Sequence, residues 1–194
     1  LLGMVRDISD YKSAEEEITF KNTILRTQLE TSLDAILVVG ENNQILSYNQ
    51  QFIDLWRLPS QLVSSGQDAP VLQSVVAQIE NPGAFVARVE YLYEHCDDKS
   101  REEILLKDGR IIDRYSAPVS GADGTYYGRI WYFRDITEYK HAEEALRASE
   151  ERFKTIFLQA PMGIALIDSL NGHICEVNPR FAEITGRSLK ELMN

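Results

Sequence analysis

The chain has 194 residues, of which 44% are apolar, and a formal net charge of −10. This length and apolar content suffice for a buried core, whereas the acidic balance argues against nucleic acid as a partner, because phosphate binding needs a basic face. The two cysteines, Cys96 and Cys175, lie far apart without CxxC spacing, which argues against a disulfide framework or a zinc site and suits a reducing compartment.

No apolar run approaches the ~20 residues of a membrane-spanning helix, and no signal peptide is evident. We therefore expect a cytoplasmic segment that makes no direct membrane contact. Because the sequence lacks an initiator Met, we allow for a parent protein that is tethered to a membrane.

An internal repeat organises the chain. Residues 6–17 and 134–145 are identical at eight of twelve positions, an offset of 128 residues. Each copy predicts an apolar strand, an Arg-Asp-Ile-Ser/Thr junction and a charged helix. We therefore expect part of a tandem array, consisting of the tail of one unit (1–12), a linker helix (13–32), a complete unit (33–137), a second linker helix (138–160) and the start of a third unit (161–194).

The two linkers share a three-four spacing of apolar and small residues, from Tyr11 to Ser32 and from Tyr139 to Ala160. This spacing places the residues in one row along each helix, a seam of about three heptads, and such seams are typical of paired helices. The first seam is wider than a solvated helix requires, so we expect a homodimer through this helix and the outer face of the sheet. The contact residues predicted on the helix are Ile18, Phe20, Ile24 and Leu25. The alternative is a helix that packs against its own domain.

The middle unit opens with a predicted hairpin of residues 35–39 and 44–48 around a polar turn. Asn49 then precedes an amphipathic helix and is placed to cap it, because a side-chain oxygen there accepts from a free helical N–H. Asn178 repeats this arrangement before Pro179. Short helical segments are predicted at residues 60–63, 71–79 and 82–93.

Three strands are predicted to close the unit, at residues 101–107, 110–119 and 125–134. The Asp108-Gly109 pair between the first two is a strong hairpin signal. Sequential hairpins indicate an antiparallel α+β sheet with helices on one face.

These residues carry a family resemblance. The motif residues are Asn49-x-x-Phe52, Asp108-Gly109-Arg110, Pro118, Gly124, Gly128 and Arg134-Asp135-Ile136-Thr137-Glu138. The array resembles a PAS domain with its C-terminal PAC segment, across nearly the whole middle unit, both linkers and both partial units. The resemblance implies a five-stranded antiparallel sheet in the order 2-1-5-4-3, helices on one face with a cavity beneath them, and flanking N- and C-terminal signalling helices.

The resemblance also implies a non-catalytic role in sensing or assembly, ahead of an output domain in the same parent chain. Tandem units with such linkers resemble those of bacterial diguanylate cyclases and sensor histidine kinases. The residues agree with a non-catalytic fragment: His95, His141 and His173 are scattered without an HExxH pattern. The chain also has no Gly-x-Ser-x-Gly elbow, no glycine-rich phosphate loop and no Gly-Gly-Asp-Glu-Phe signature. We expect no catalytic residues and no metal site.

By resemblance to PAS domains, one face of the last two strands looks into the cavity, since side chains alternate faces along a strand. The lining candidates are Trp131, Phe133, Arg114, Ile112 and Ser116. Arg114 is the informative one, because a buried guanidinium needs a carboxylate partner or an anionic ligand. The alternative is that Arg114 pairs with a glutamate such as Glu102 or Glu103 and that the aromatic side chains fill the core.

The cofactor is left unknown. Photoreactive flavin domains resemble one another in a run similar to Asn-Cys-Arg-Phe, which contains a cysteine. Residues 49–52 of this chain read Asn-Gln-Gln-Phe and contain none, so photoreactive flavin chemistry is excluded. His95 is the sole candidate haem ligand in the helical region and lies among acidic residues. A non-covalent flavin or a small metabolite stays open. A roomy pocket beside Trp131 and Arg114 would favour a ligand-sensing module, whereas a collapsed core with Arg114 paired internally would favour an assembly module without ligand.

The junction at the end of the last strand is the predicted relay. Asp135 can accept hydrogen bonds from the first free N–H groups of the exit helix and can pair with a nearby basic side chain, such as Arg134, Lys140, Arg110 or Arg114. We expect Asp135, Arg134 and Thr137 to set the angle at which the helix leaves the domain. The alternative is that Asp135 is only a helix cap.

Overall fold

The computed structural model describes residues 9–187, with side chains described from residue 12 onward. Two compact units make up the chain, one ending at Thr137 and the other beginning at Glu138. The strand predicted before Arg6 and the last residues of the third unit lie outside the described residues.

The first unit contains five helices and five strands within its described part. They are α1 (Ser9–Glu30), β1 (Ala35–Gly40), β2 (Ile45–Tyr48), α2 (Gln50–Trp56), α3 (Ser60–Ser64), α4 (Asp68–Val76), α5 (Pro82–Glu94), β3 (Ser100–Leu105), β4 (Ile111–Ser120) and β5 (Tyr126–Asp135). The strands form one antiparallel sheet in the order β2-β1-β5-β4-β3. The predicted α+β fold and strand order are therefore confirmed.

Two element ends differ from the sequence prediction for a shared reason. Helix α4 ends at Val76 and strand β3 at Leu105, because the chain beyond each end pairs with the other. The N–H of Glu80 donates to the carbonyl of Leu105, and the N–H of Lys107 donates to that of Gln78. These cross-bonds satisfy backbone groups that a longer helix or strand would otherwise use.

The core of the first unit lies between the sheet and helices α2 to α5. Phe133 of β5 packs against Phe52 and Trp56 of α2, with ring centroids 5.8 and 5.3 Å apart. Each such aromatic side chain contributes ~1.5–3 kcal/mol when it is fully buried. Contacts of this kind hold α2 against the centre of the sheet.

Gly128 is required where β5 passes β1. Its φ is 146°, and a Cβ atom at this position would lie 2.1 Å from the carbonyl oxygen of Val39. Any other residue would push the two strands apart at the centre of the sheet. The glycine in the family motif therefore has a packing reason.

The second unit is smaller within its described part. Helix α6 (Thr137–Gln159) begins at the last residue of the first unit and is followed by β6 (Ala165–Ile167), β7 (Ile174–Val177) and α7 (Pro179–Thr185). Strands β6 and β7 form an antiparallel hairpin. Five large apolar side chains along α6 are exposed: Tyr139, Leu146, Phe153, Ile156 and Leu158.

Candidate functional site

A small cavity lies in the core of the first unit. Nine apolar side chains and three polar ones, Asp68, Tyr93 and Arg114, line it. The open space is about 30 Å³, which is room for about two water molecules. Pockets that bury drug-sized ligands measure about 300–1,000 Å³, so the cavity as it stands admits only very small molecules.

The structure brings three of the five predicted lining residues to this cavity: Arg114, Trp131 and Phe133. Ile112 and Ser116 are fully buried on the same strand but do not line it. Ile112 belongs to the apolar core, and the hydroxyl of Ser116 accepts a hydrogen bond from Arg129.

Arg114 is buried between two aromatic rings. Its guanidinium carbon lies 4.4 Å from the ring centroid of Phe85 and 5.2 Å from that of Trp131. Its Nη2 donates to Oε1 of Glu102 at 2.5 Å, so of the two glutamates considered from sequence, Glu102 is the partner. Burial lowers the pKa of Arg114, and the bond to Glu102 opposes this change.

A second polar pair at the cavity had no signal in the sequence. The hydroxyl of Tyr93 donates to Oδ2 of Asp68 at 2.8 Å, and its ring meets Trp131 edge-on at 6.0 Å. Burial raises the pKa of Asp68, and the hydrogen bond from Tyr93 opposes the shift. Burial raises the pKa of Tyr93 as well, and the nearby carboxyl group of Asp68 adds to this shift. No motif marks the pair, because its members belong to different helices, α4 and α5.

Arg129 is a further buried guanidinium beside the cavity. It is fully buried, and it donates to Ser116 and to three backbone carbonyls that follow helix α5, those of His95, Cys96 and Asp98. The alternation of β5 places it on the inner face, but the use of backbone carbonyls as acceptors was not predictable from sequence. Arg129 thereby holds the end of α5 against the sheet.

The strand–helix junction is tied to the start of strand β4. Oδ1 of Asp135 accepts from the backbone N–H and the hydroxyl of Thr137, at 3.0 and 2.5 Å. The Thr137 hydroxyl oxygen in turn accepts from the N–H of Ile111, the first residue of β4, at 2.9 Å. The start of α6 is therefore fixed to the start of β4.

The arginines that were considered as partners for Asp135 have other carboxylates. Arg110 pairs with Asp108, and Arg114 pairs with Glu102. Arg134 pairs with Asp34, which lies between α1 and β1. Of the possible partners of Asp135 considered from sequence, these three arginines therefore pair elsewhere, and the side chain of Arg134 reaches the residue that precedes the neighbouring strand β1.

Asn49 joins the end of α1 to the domain. Its Oδ1 accepts from the N–H groups of Ile36 and Phe52, which confirms its predicted capping role. Its Nδ2 donates to the carbonyls of Leu29 and Asp34. Since Leu29 lies in the last turn of α1, the bond satisfies a carbonyl that has no partner within the helix.

Asn178 makes the same four bonds in the second unit. It accepts from Ile164 and Phe181 and donates to the carbonyls of Phe157 and Met162. Each bond has its counterpart around Asn49, so the sequence repeat is also a repeat of hydrogen-bond geometry.

The residues predicted for dimerisation are exposed along α1. Ile18 is 60% exposed and Phe20 65%, and Ile24 and Leu25 are also exposed. Every described residue from 12 to 28 is exposed. The dimer contact through these residues stays a prediction, and so does the alternative in which the helix packs against its own domain.

The described residues contain no helix that is long and apolar enough to cross a membrane. Nor do they contain a group of three or more histidine, cysteine, aspartate or glutamate side chains placed to hold a metal ion.

Two family models match this chain. A family model described as PAS fold matches residues 29–144, and one described as PAS domain matches residues 151–194. Sporulation kinase E of Bacillus subtilis (strain 168) is 23% identical over 191 residues, which cover 98% of this chain and 25% of that protein. The chain thus spans about a quarter of the length of this curated relative.

This chain is also similar to two solved structures of PAS domains. The PAS domain from Bordetella pertussis BvgS is 16% identical, with a TM-score of 0.49, covering 68% of this chain and 98% of that one. The PAS domain of an HTR-like protein from Haloarcula marismortui is 18% identical, with a TM-score of 0.47, covering 64% of this chain and 99% of that one.

Proposed function

Because the chain belongs to the PAS family, we propose that residues 33–137 form a regulatory PAS module that relays a signal to an output domain of a bacterial multidomain signalling protein. The similarity to Sporulation kinase E supports a histidine kinase as that output domain. A diguanylate cyclase, the other output that the sequence implied, rests on the resemblance of the linkers alone.

One observation carries the relay proposal: the ion pair between Arg134 and Asp34. Asp34 follows the entry helix α1, and Arg134 precedes the exit helix α6. The pair therefore joins the points where the chain enters and leaves the sheet. A change in the twist of β1 against β5 alters both helix directions together, and Asp135 and Thr137 carry the change into α6.

The proposal extends to the neighbouring units. The matching networks of Asn49 and Asn178, together with the two family matches, support a tandem array with a linker helix at 13–32 and another at 138–160. Residues 161–194 would then open a following PAS unit, and residues 1–12 would close a preceding one. In such an array, one asparagine per unit would attach each incoming helix to its own sheet.

A second candidate function is an assembly module that works without a ligand. The small cavity and the internal pairing of Arg114 with Glu102 favour it. So do the apolar residues Ile18, Phe20, Ile24 and Leu25 of α1, which are exposed in the single chain and would be covered in a homodimer. The two functions are compatible, since a dimeric relay needs both.

The relay is tested in the full-length protein that carries this chain. The substitution Arg134→Gln should leave the protein folded but should uncouple output activity, measured as autophosphorylation if the output is a kinase, from the input. Arg57→Gln is the control, because it breaks an exposed ion pair of the same unit, with Asp108, that includes neither Asp34 nor Arg134. Unaltered regulation in Arg134→Gln, or equal loss in Arg57→Gln, would argue against the relay.

A further inference from the structure

The cavity of the first unit contains a guanidinium whose nitrogens are only partly used. Arg114 is 1% exposed, and its Nη2 donates to Glu102. Among the described residues, none accepts a hydrogen bond from Nε or Nη1 of Arg114. Because an unpaired N–H of a buried charged group is costly, a ligand that supplies an acceptor at this point would be stabilised.

The charge around Arg114 favours an anion. Glu102 is shared, since Arg88 Nε lies 3.8 Å from the same Oε1 and the hydroxyl of Ser100 donates to it at 3.2 Å. Two guanidinium groups thus face one carboxylate. Asp68, the other carboxyl group that lines the cavity, accepts from Tyr93 instead, and burial shifts its pKa upward, which favours its neutral form. The Arg114 end of the cavity is therefore cationic.

The geometry of a guanidinium explains why Glu102 matters. A carboxylate that binds two guanidinium nitrogens side by side uses Nη2 together with either Nε or Nη1. Glu102 takes Nη2, the nitrogen that both arrangements share. Its side chain is 33% exposed, so it can turn toward solvent at less cost than a buried carboxylate.

The lining residues and the size of the cavity limit the class of ligand that it can hold. Most lining residues are apolar, and the open space is about 30 Å³, which suits a head group of a few atoms with a very short apolar body and disfavours a fully polar phosphate. A surface groove that runs along β3 is lined by Glu102 and shares Phe85 with the cavity. Glu102 thus lies between this groove and the buried Arg114.

We propose that Arg114 anchors a small monocarboxylate in this cavity and that Glu102 is an internal competitor for the same guanidinium. Binding displaces Glu102 from Nη2 and leaves it beside Arg88. This inference rests on the proposed regulatory function only for its biological meaning, because it names the input to which the relay would respond. The binding step itself is measured without any output domain.

The test uses the 194-residue chain and sodium acetate or sodium propionate as the probe, with ionic strength held constant by sodium chloride. The chain has two tryptophans, so an ¹⁵N–¹H spectrum shows two indole signals, and Trp131→Phe assigns them. Trp131 lies 5.2 Å from the guanidinium carbon of Arg114. We expect a saturable shift of the Trp131 signal with either carboxylate and none with acetamide or propionamide.

Glu102→Gln is the decisive variant, because it removes the competitor and keeps the shape of a partly exposed side chain. It should bind propionate about tenfold more tightly, the smallest effect expected from removing a close charged competitor. Glu90→Gln, an exposed position on α5, should bind as the parent chain does. Arg114→Gln should abolish the shift, whereas Arg101→Gln, which removes an exposed arginine of the same sheet, should not.

Three results would overturn the proposal. They are the absence of saturable binding in Glu102→Gln, equal shifts with the neutral amides, or unchanged binding in a folded Arg114→Gln variant. If Arg114→Gln does not fold, the comparison of Glu102→Gln with Glu90→Gln decides. None of these results bears on the relay, which is measured by the effect of Arg134→Gln on the output domain, so the two proposals fail separately.

Discussion

Arg134 donates two hydrogen bonds to the carboxylate of Asp34, at 2.5 and 2.8 Å, across 100 positions of sequence. The side chain of Arg134 is 61% exposed, so the pair contributes only about 0.2–1 kcal/mol to folding. Its importance is geometric, because a two-bond contact sets the orientation of both side chains as well as their distance. The entry to β1 and the exit from β5 are thereby held in one arrangement.

Breaking this pair should change stability little and in a salt-dependent way. Asp34→Asn and Arg134→Gln should each lower the free energy of unfolding by at most about 1 kcal/mol, and the coupling in a double-mutant cycle should shrink as sodium chloride is added. Urea denaturation at low and high salt measures both quantities. A coupling that is independent of salt would show that the two side chains interact other than as exposed charges.

Removing the side chain of Asn49 should destabilise the first unit strongly. Asn49 is fully buried and makes four hydrogen bonds, so Asn49→Ala removes the partners of the Ile36 N–H and the Asp34 carbonyl and weakens the bonding of two further backbone groups. We expect a loss of about 3 kcal/mol or more. Asn81→Ala is the control, since Asn81 caps α5 from an exposed position and should cost about 1 kcal/mol. Similar losses in the two variants would mean that Asn49 is no more than a cap.

Arg129 should be among the costliest charged residues to replace. Arg129→Met keeps much of the side-chain volume but removes the donor to the carbonyls of Cys96 and Asp98 and one of the two donors to that of His95. The expected loss is about 3 kcal/mol, whereas Arg101→Met at an exposed ion pair should lose about 1 kcal/mol or less. Thermal unfolding of the two variants gives the comparison, and an effect of Arg129→Met no larger than that of Arg101→Met would contradict the prediction.

Asp68 should make the protein less stable as pH rises. Burial raises its pKa above the usual value of 3.8, so the folded chain holds this proton more tightly than the unfolded chain does. The resulting stabilisation is fully present below the unfolded pKa and is lost as pH rises through the folded pKa. Asp68→Asn keeps an acceptor for Tyr93 and has no proton to lose. The melting temperature of Asp68→Asn should therefore rise relative to that of the parent chain as pH rises above the usual aspartate pKa of 3.8.

Asp123→Asn is the matched control with the opposite sign. The backbone N–H of Thr125 and, to a smaller extent, its hydroxyl donate hydrogen bonds that lower the pKa of Asp123. The stabilisation of the folded chain by Asp123 is therefore present above the unfolded pKa and is lost as pH falls. The melting temperature of Asp123→Asn should therefore fall relative to that of the parent chain as pH rises. A difference between Asp68→Asn and the parent chain that does not vary with pH would refute the assignment to Asp68.

The exposed apolar residues of α1 should govern the oligomeric state. Changing Ile18 and Leu25 together to lysine places two charges on the proposed dimer surface and should yield a monomer by sedimentation velocity. Leu33→Lys is the control, because Leu33 is 95% exposed but lies beyond the end of α1. If the double variant and the control sediment alike, as dimers, the interface lies elsewhere.

Much of this fold could be predicted from the sequence because the signals are local. Alternation along β5 places Trp131 and Phe133 on the inner face, and the side chain of Asn49 caps the helix that follows it within three residues. Turn residues such as Asp108-Gly109 define the hairpins that make the sheet antiparallel. Each of these features depends only on residues a few positions away in the chain, so one sequence is enough to predict it.

The partners of the charged side chains were decided by tertiary structure alone. Arg114 pairs with Glu102 rather than Glu103 because β3 lies beside β4 in a register that places Glu102 opposite it. Arg134 reaches Asp34 because β1 and β5 are neighbours in the sheet. Asp68 meets Tyr93 only where α4 and α5 pack together over the same cavity. Local pattern sets which face a side chain occupies, whereas long-range packing sets which polar atom is within reach on that face.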